Sequence, residues 1–146
     1  MSLVDCLNAR GLGEHLCAGL RALGVNSKRV TVALPRKAAH SVALDDALRE
    51  RFPQAPRWDY GVALERSDAT EVAWIEVHTA TSGEVDTVLT KLAWLKRWLA
   101  NDQDACAAAG TSFHWVATDA GVHIDSERRR KLNAAGLEMP RSHLRL

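Results

Sequence analysis

Long apolar runs are missing from this chain: none reaches the ~18–20 residues a membrane span requires, so no membrane partner is expected. Cysteine is scarce too. Cys6, Cys17 and Cys106 form an odd set of three without metal-ligand spacing, and they read as small buried hydrophobes in a reducing cytoplasm. The stretch MSLVDCLNARGLGEHL has an early acid and no long apolar segment, so it does not read as a signal peptide. Neither a glycine-rich phosphate loop nor a Ser/His/Asp triad is visible, and no motif supports a cysteine nucleophile. Repeats, low-complexity tracts and long linkers are absent as well, so residues 1–146 are expected to form one domain.

What remains is an ordinary soluble composition, 47% hydrophobic and 25% charged, in a chain long enough to bury a sizeable core. The net charge of +1 conceals an asymmetry. Residues 1–40 hold six Lys/Arg against two acids, and residues 41–90 hold four against ten. Residues 91–125 hold three against four, and residues 126–146 six against two. An acidic middle between basic ends suits a phosphate backbone held near a metal centre; the plainer reading is a solvated surface.

Periodicity predicts a helix over residues ~4–23, weakened by Gly11 and Gly13 and stopped by Gly24. Arg29–Leu34 is rich in β-branched residues and reads as a strand ended by Pro35. Ser41 is expected to cap a helix running to about Phe52, anchored by Val42, Leu44, Leu48 and Phe52. Residues 58–64 and 71–78 read as strands whose polar connector, 65–70, is short enough for a hairpin. Thr81-Ser82-Gly83-Glu84 has the pattern of a capping box and opens a helix with the stripe Val85, Val88, Leu89, Leu92, Leu95 and Leu99. That helix is expected to reach Ala109, with Gly110 as its stop. Phe113–Thr118 is a further strand, Ser126 is expected to cap a last helix over Glu127–Ala135, and His143–Leu146 adds a short edge strand. The order α-β-α-β-β-α-β-α predicts an α/β fold, with a mixed central β-sheet flanked by helices.

The most informative stretch is Trp58–Leu64 followed by Ala73–His78. Asp59 stands at the mouth of one apolar run, and Glu76 lies inside the next. A carboxylate entering a hydrophobic strand costs several kcal/mol unless a cation, a metal or good donors meet it. Strand side chains alternate, so Glu76 and His78 share a face. Two carboxylates and an imidazole at one sheet edge have the makings of a divalent-metal site.

Asp59, then Glu76-Val77-His78 after sixteen intervening residues, then a capped helix and a strand, resemble the PD-(D/E)xK nuclease-like superfamily across residues ~41–118. The resemblance implies a restriction-endonuclease-like core: a helix, a three-strand meander, a helix and a strand. It implies Asp59 and Glu76 as ligands of a divalent metal, usually Mg2+ with Mn2+ as substitute, and hydrolysis of phosphodiester bonds in DNA or RNA. The family's lysine, which positions or activates the attacking water, is replaced here by His78. A neutral imidazole binds metal or takes a proton near pH ~7, whereas lysine brings a fixed positive charge. Pro56 stands near Asp59 rather than directly before it. In this superfamily the lysine sometimes moves to a neighbouring element, and Lys91, at the edge of the apolar stripe beside Trp94, Leu95 and Trp98, is the candidate. The implied catalytic set is thus Asp59, Glu76, His78 and Lys91, with Glu14 or Glu50 as a further carboxylate and a homodimer as the assembly.

Plainer readings stand beside these. Glu76 pairs with His78 or a core arginine, Asp59 caps the turn after Pro56, and Lys91 is a solvated lysine lying along tryptophan. His78, His114 and His123 lack the short-range ligand pair of a zinc site. Trp94 and Trp98, at helical spacing, read as packing residues before they read as base-stacking ones. Ser126–Lys131 reads as a solvated helix face. Against a nuclease, or an inactive relative that still binds nucleic acid, stands a non-catalytic protein-interaction module of uncharacterised role.

Overall fold

A computed structural model describes residues 2–67, 69–100, 106 and 110–146. The first helix, α1 (Leu3–Ala9), opens with a capping box in which the Ser2 hydroxyl accepts from Asp5 N and the Asp5 carboxylate accepts from Ser2 N. It buries Leu3, Cys6 and Leu7 and stops after two turns. The single helix expected to residue ~23 does not form. At Gly11 the backbone turns to φ +72, a conformation only glycine adopts cheaply. A 3-10 turn, Gly13–His15, then leads into strand β1 (Leu16–Ala18). Further 3-10 turns over Arg21–Arg29 are broken at Gly24 (φ 54). The apolar spacing was real but serves two cores, with Leu16 against one and Leu23 in the other.

Strand β2 (Val30–Thr31) is shorter than the sequence pattern predicted. Strand β3 (Lys37–Ala43) lies where no strand was expected, and Ser41 is not a helix cap. Its side chain is fully buried and accepts from Ala22 N at 3.0 Å, which ties the preceding turns to the sheet. Helix α2 is therefore confined to Leu44–Leu48. Pairing on both edges decides this: β3 runs antiparallel to β1 and to β4 (Tyr60–Arg66), a tertiary gain that local pattern does not register.

Strands β4 and β5 (Ala69–Thr81) form the expected hairpin, paired from Tyr60↔Ile75 to Arg66↔Ala69. Gly61 sits opposite Trp74, and a Cβ there would lie 2.6 Å from the indole, so the ring takes the space a side chain would need. Helix α3 (Val85–Ala100) follows and buries Val85, Val88, Leu92, Leu95, Trp98 and Leu99, close to the predicted stripe. Its expected continuation through 101–105 and 107–109 lies outside the described residues, and Gly110 begins a strand. That strand, β6 (Gly110–His123), pairs parallel to β5, which completes a five-stranded mixed sheet in the order β1-β3-β4-β5-β6. Helix α4 (Ser126–Ala134) is capped by Asp125 rather than Ser126, with the Asp125 carboxylate accepting from Arg128 N. Strand β7 (Leu144–Arg145) pairs parallel with β2 as a separate two-stranded sheet.

The fold is mixed α/β, with a buried cluster on each face of the large sheet. The larger cluster contains Trp58, Trp74, Leu92, Leu95 and Trp115, beneath α3. Among the described residues no helix is long and apolar enough to cross a membrane. The expectation of three unpaired cysteines is corrected. Cys6 and Cys106 form a disulfide, and only Cys17 is free.

Candidate active site

Strand alternation puts Trp74, Glu76 and His78 of β5 on one face, the face that α3 covers. The hairpin register that pairs Tyr60 with Ile75 places Asp59, one residue outside β4, beside Glu76. The two strands are stitched here through side chains. Glu76 Oε1 accepts from Asp59 N at 3.2 Å, and Asp59 Oδ2 accepts from Val77 N at 2.9 Å. From above, Lys91 on α3 donates through Nζ to Glu76 Oε2, and its ammonium stands 3.8 Å from Asp59 Oδ1. Glu76 is fully buried, while the Lys91 and Asp59 side chains are 17% and 23% exposed. Lys91 is thus not the solvated lysine of the plainer reading. A buried carboxylate needs a cation and hydrogen-bond donors, and Glu76 has both.

His78 extends the cluster outward. Its Nδ1 lies 3.4 Å from Glu76 Oε2 and its Nε2 is 2.8 Å from Glu84 Oε2. Behind the ring, Trp115 Nε1 donates to the His78 carbonyl at 3.0 Å. Sequence reasoning missed Glu84 as part of this group. It assigned Glu84 to a capping box, but Thr81 makes no side-chain capping bond and the Glu84 carboxylate turns to His78 instead. The available signal was an acid six residues beyond His78 on the turn that enters the helix. Asp59, Glu76, His78 and Lys91 therefore meet in one place. Glu14 and Glu50 do not join them: Glu14 lies exposed beside His15, and Glu50 is exposed after α2. His114 bonds Ser112 and His123 faces the Ala120 carbonyl, each apart from His78.

Burial raises the Asp59 carboxyl to about 7, and the charge of Glu76 pushes the same way. Lys91 and the Val77 N–H pull it back only in part. In the unfolded chain the group titrates near 3.8, so between that value and about 7 the folded protein keeps a proton the unfolded chain has released. Its contribution to stability falls as pH rises through this window and reaches its floor above about 7. His78 is held above its ordinary 6.5, first by its hydrogen bond to Glu76, and adds stability that is complete below 6.5 and lost as pH rises through the raised value. Both trends favour mildly acidic conditions. Asp59→Asn is expected to flatten the first and to raise stability above neutrality by up to about 4 kcal/mol. Thermal unfolding of both proteins at about pH 5 and about pH 8 measures this; superimposable pH profiles would contradict it.

The donor set bears on whether a metal fits. Carboxylate oxygens are hard donors, and Mg2+ is commonly held by one or two of them with several waters retained. Asp59 Oδ1 accepts no hydrogen bond among the described residues, whereas both oxygens of Glu76 are engaged. No group of three or more His, Cys, Asp or Glu poised to hold a metal is found among the described residues. Among the described residues the carboxylate pair thus offers one oxygen without a hydrogen bond, Asp59 Oδ1, and no all-protein cage. Comparison of the chain with family models, curated proteins and solved structures finds no match.

Proposed function

We propose that this protein is a divergent PD-(D/E)xK-like enzyme that hydrolyses phosphodiester bonds of DNA or RNA with a divalent metal. One observation carries the reading. The buried Glu76 shares the Lys91 ammonium with Asp59 at the mouth of adjacent strands, so two acids and a lysine meet as that resemblance implies, with the lysine arriving from the helix. The strand order supports it as well, since an antiparallel meander, a crossover helix and a parallel strand follow one another through β3, β4, β5, α3 and β6.

Asp59 and Glu76 are the residues that would hold Mg2+ or Mn2+, which supplies charge stabilisation at the scissile phosphate and a more acidic bound water. This chain's own groups do the rest. Lys91 balances the charge of Glu76 and offers a fixed positive charge to an incoming phosphate oxygen. His78, at the outer edge of the cluster, would orient a water there. Glu84 holds its Nε2, which leaves the Nδ1 side toward Glu76. The test is cleavage of labelled DNA and RNA with Mg2+ or Mn2+ by wild type and Glu76→Gln, a shape-preserving change. Wild type should cleave, and the variant should lose about 100-fold or more of that activity. Equal traces with and without metal, for both proteins, would instead favour the interaction module.

A further inference from the structure

One helical turn beyond Lys91, a cavity of about 220 Å³ opens against α3, lined by Phe52, Trp94, Arg97 and Trp98. We propose that this pocket receives an unpaired base of a single-stranded nucleic acid whose backbone continues toward Asp59, Glu76 and Lys91. The inference rests on the phosphodiester reading above and names the substrate form: single strands or unpaired nucleotides.

The walls are aromatic and geometrically ordered. Trp94 and Trp98 lie within 11° of parallel with centroids 6.4 Å apart, and Phe52 meets Trp94 edge-on at 5.6 Å. Phe52 is 38% exposed, the kind of large apolar side chain that a closed core would have covered. Its position is held from both sides. Phe52 N donates to the Leu48 carbonyl at 2.9 Å, and Arg57 Nη1 donates to the Phe52 carbonyl at 2.6 Å. The same loop runs on to Asp59, so pocket and carboxylates share one connection.

The rim is basic, and among the described residues no carboxylate lines the cavity. Arg10 lies over the Trp98 ring at 4.3 Å, and Arg51 reaches across from beside Phe52 to the Arg10 and Gly11 carbonyls. Arg97 and Arg51 make no ion pair among the described residues. Aromatic faces bordered by guanidinium groups are what sequence-tolerant single-strand binding uses: rings stack on bases while cations follow the phosphates. Three residues along an α-helix rise only about 4.5 Å, so Trp94 stands close enough to Lys91 for one strand to touch both. A duplex keeps its bases paired and has none to offer the cavity.

The experiment is fluorescence anisotropy of a short labelled oligothymidylate and of a duplex of equal length, without metal, so that cleavage does not intrude. Wild type should bind the single strand more tightly than the duplex. Trp94→Ala should weaken single-strand binding roughly 5- to 150-fold and leave duplex binding unchanged. Arg97→Glu, on an exposed position, should weaken it too and make the salt dependence shallower. If circular dichroism shows Trp94→Ala unfolded, Phe52→Ala and Arg97→Glu decide the matter. Duplex bound as tightly as single strand, or variants bound like wild type, overturns the proposal. Single-strand binding that depends on Trp94 in a protein without metal-dependent cleavage upholds the pocket and removes the hydrolytic reading. Glu76-dependent cleavage with Trp94-independent binding does the reverse.

Discussion

Lys91→Met is expected to destabilise the protein by about 3–5 kcal/mol near neutral pH, as the loss of one partner from a buried ion pair typically does. The Glu76 side chain is fully buried, and Lys91 is the cation that donates directly to it. Remove that ammonium and, among the described residues, the carboxylate keeps only the Asp59 N–H and the His78 ring at 3.4 Å. The remaining charge is uncompensated in a low-dielectric space under α3. Glu76→Gln with Lys91→Met removes both charges together, and replacing a buried pair by neutral groups is often close to neutral in stability. The double variant should therefore recover most of the loss, and denaturant titration of the four proteins reads the coupling directly. If single and double variants lose the same stability, the pair is not what holds Glu76 inside.

Reduction of the Cys6–Cys106 disulfide should cost about 2–5 kcal/mol, because the bond closes a long loop and so restricts the unfolded chain. Its two ends are 100 residues apart in sequence. A second effect is local. Helix α1 has only seven residues, too few to persist alone, and it is tethered by this bond and by the burial of Leu3, Cys6 and Leu7. Hydrogen exchange in α1 should accelerate on reduction more than exchange in β4 or β5. Cys6→Ser should reproduce the effect without reductant. A melting temperature indifferent to reductant would mean that the bond restrains little.

The site was more legible than its surroundings. Asp59 and Glu76 were readable because carboxylates entering apolar strands are improbable without partners, and the period of two put His78 on the face of Glu76. Lys91 was readable only as one candidate of two, since helical spacing put it at the edge of the stripe without saying whether its amine turned inward. The loss of Glu84 to a capping pattern has a clear cause: one carboxylate can serve a helix end or an imidazole, and only the position of His78 decides. Disulfide pairing was illegible for a similar reason, because three cysteines name no partner until the chain is folded.

By itself the sequence determined the β4–β5 hairpin, the apolar stripe of α3, the existence of a strand after it and the shared face of Glu76 and His78. Those follow from local periodicity, which every few residues restate. Tertiary structure decided that Lys37–Ala43 is a strand, that Ser41 is a buried acceptor, that α1 ends after two turns, and that Lys91 reaches Glu76. Each of these depends on partners distant along the chain, whose hydrogen bonds and charges outweigh a local preference worth about 1 kcal/mol or less per residue.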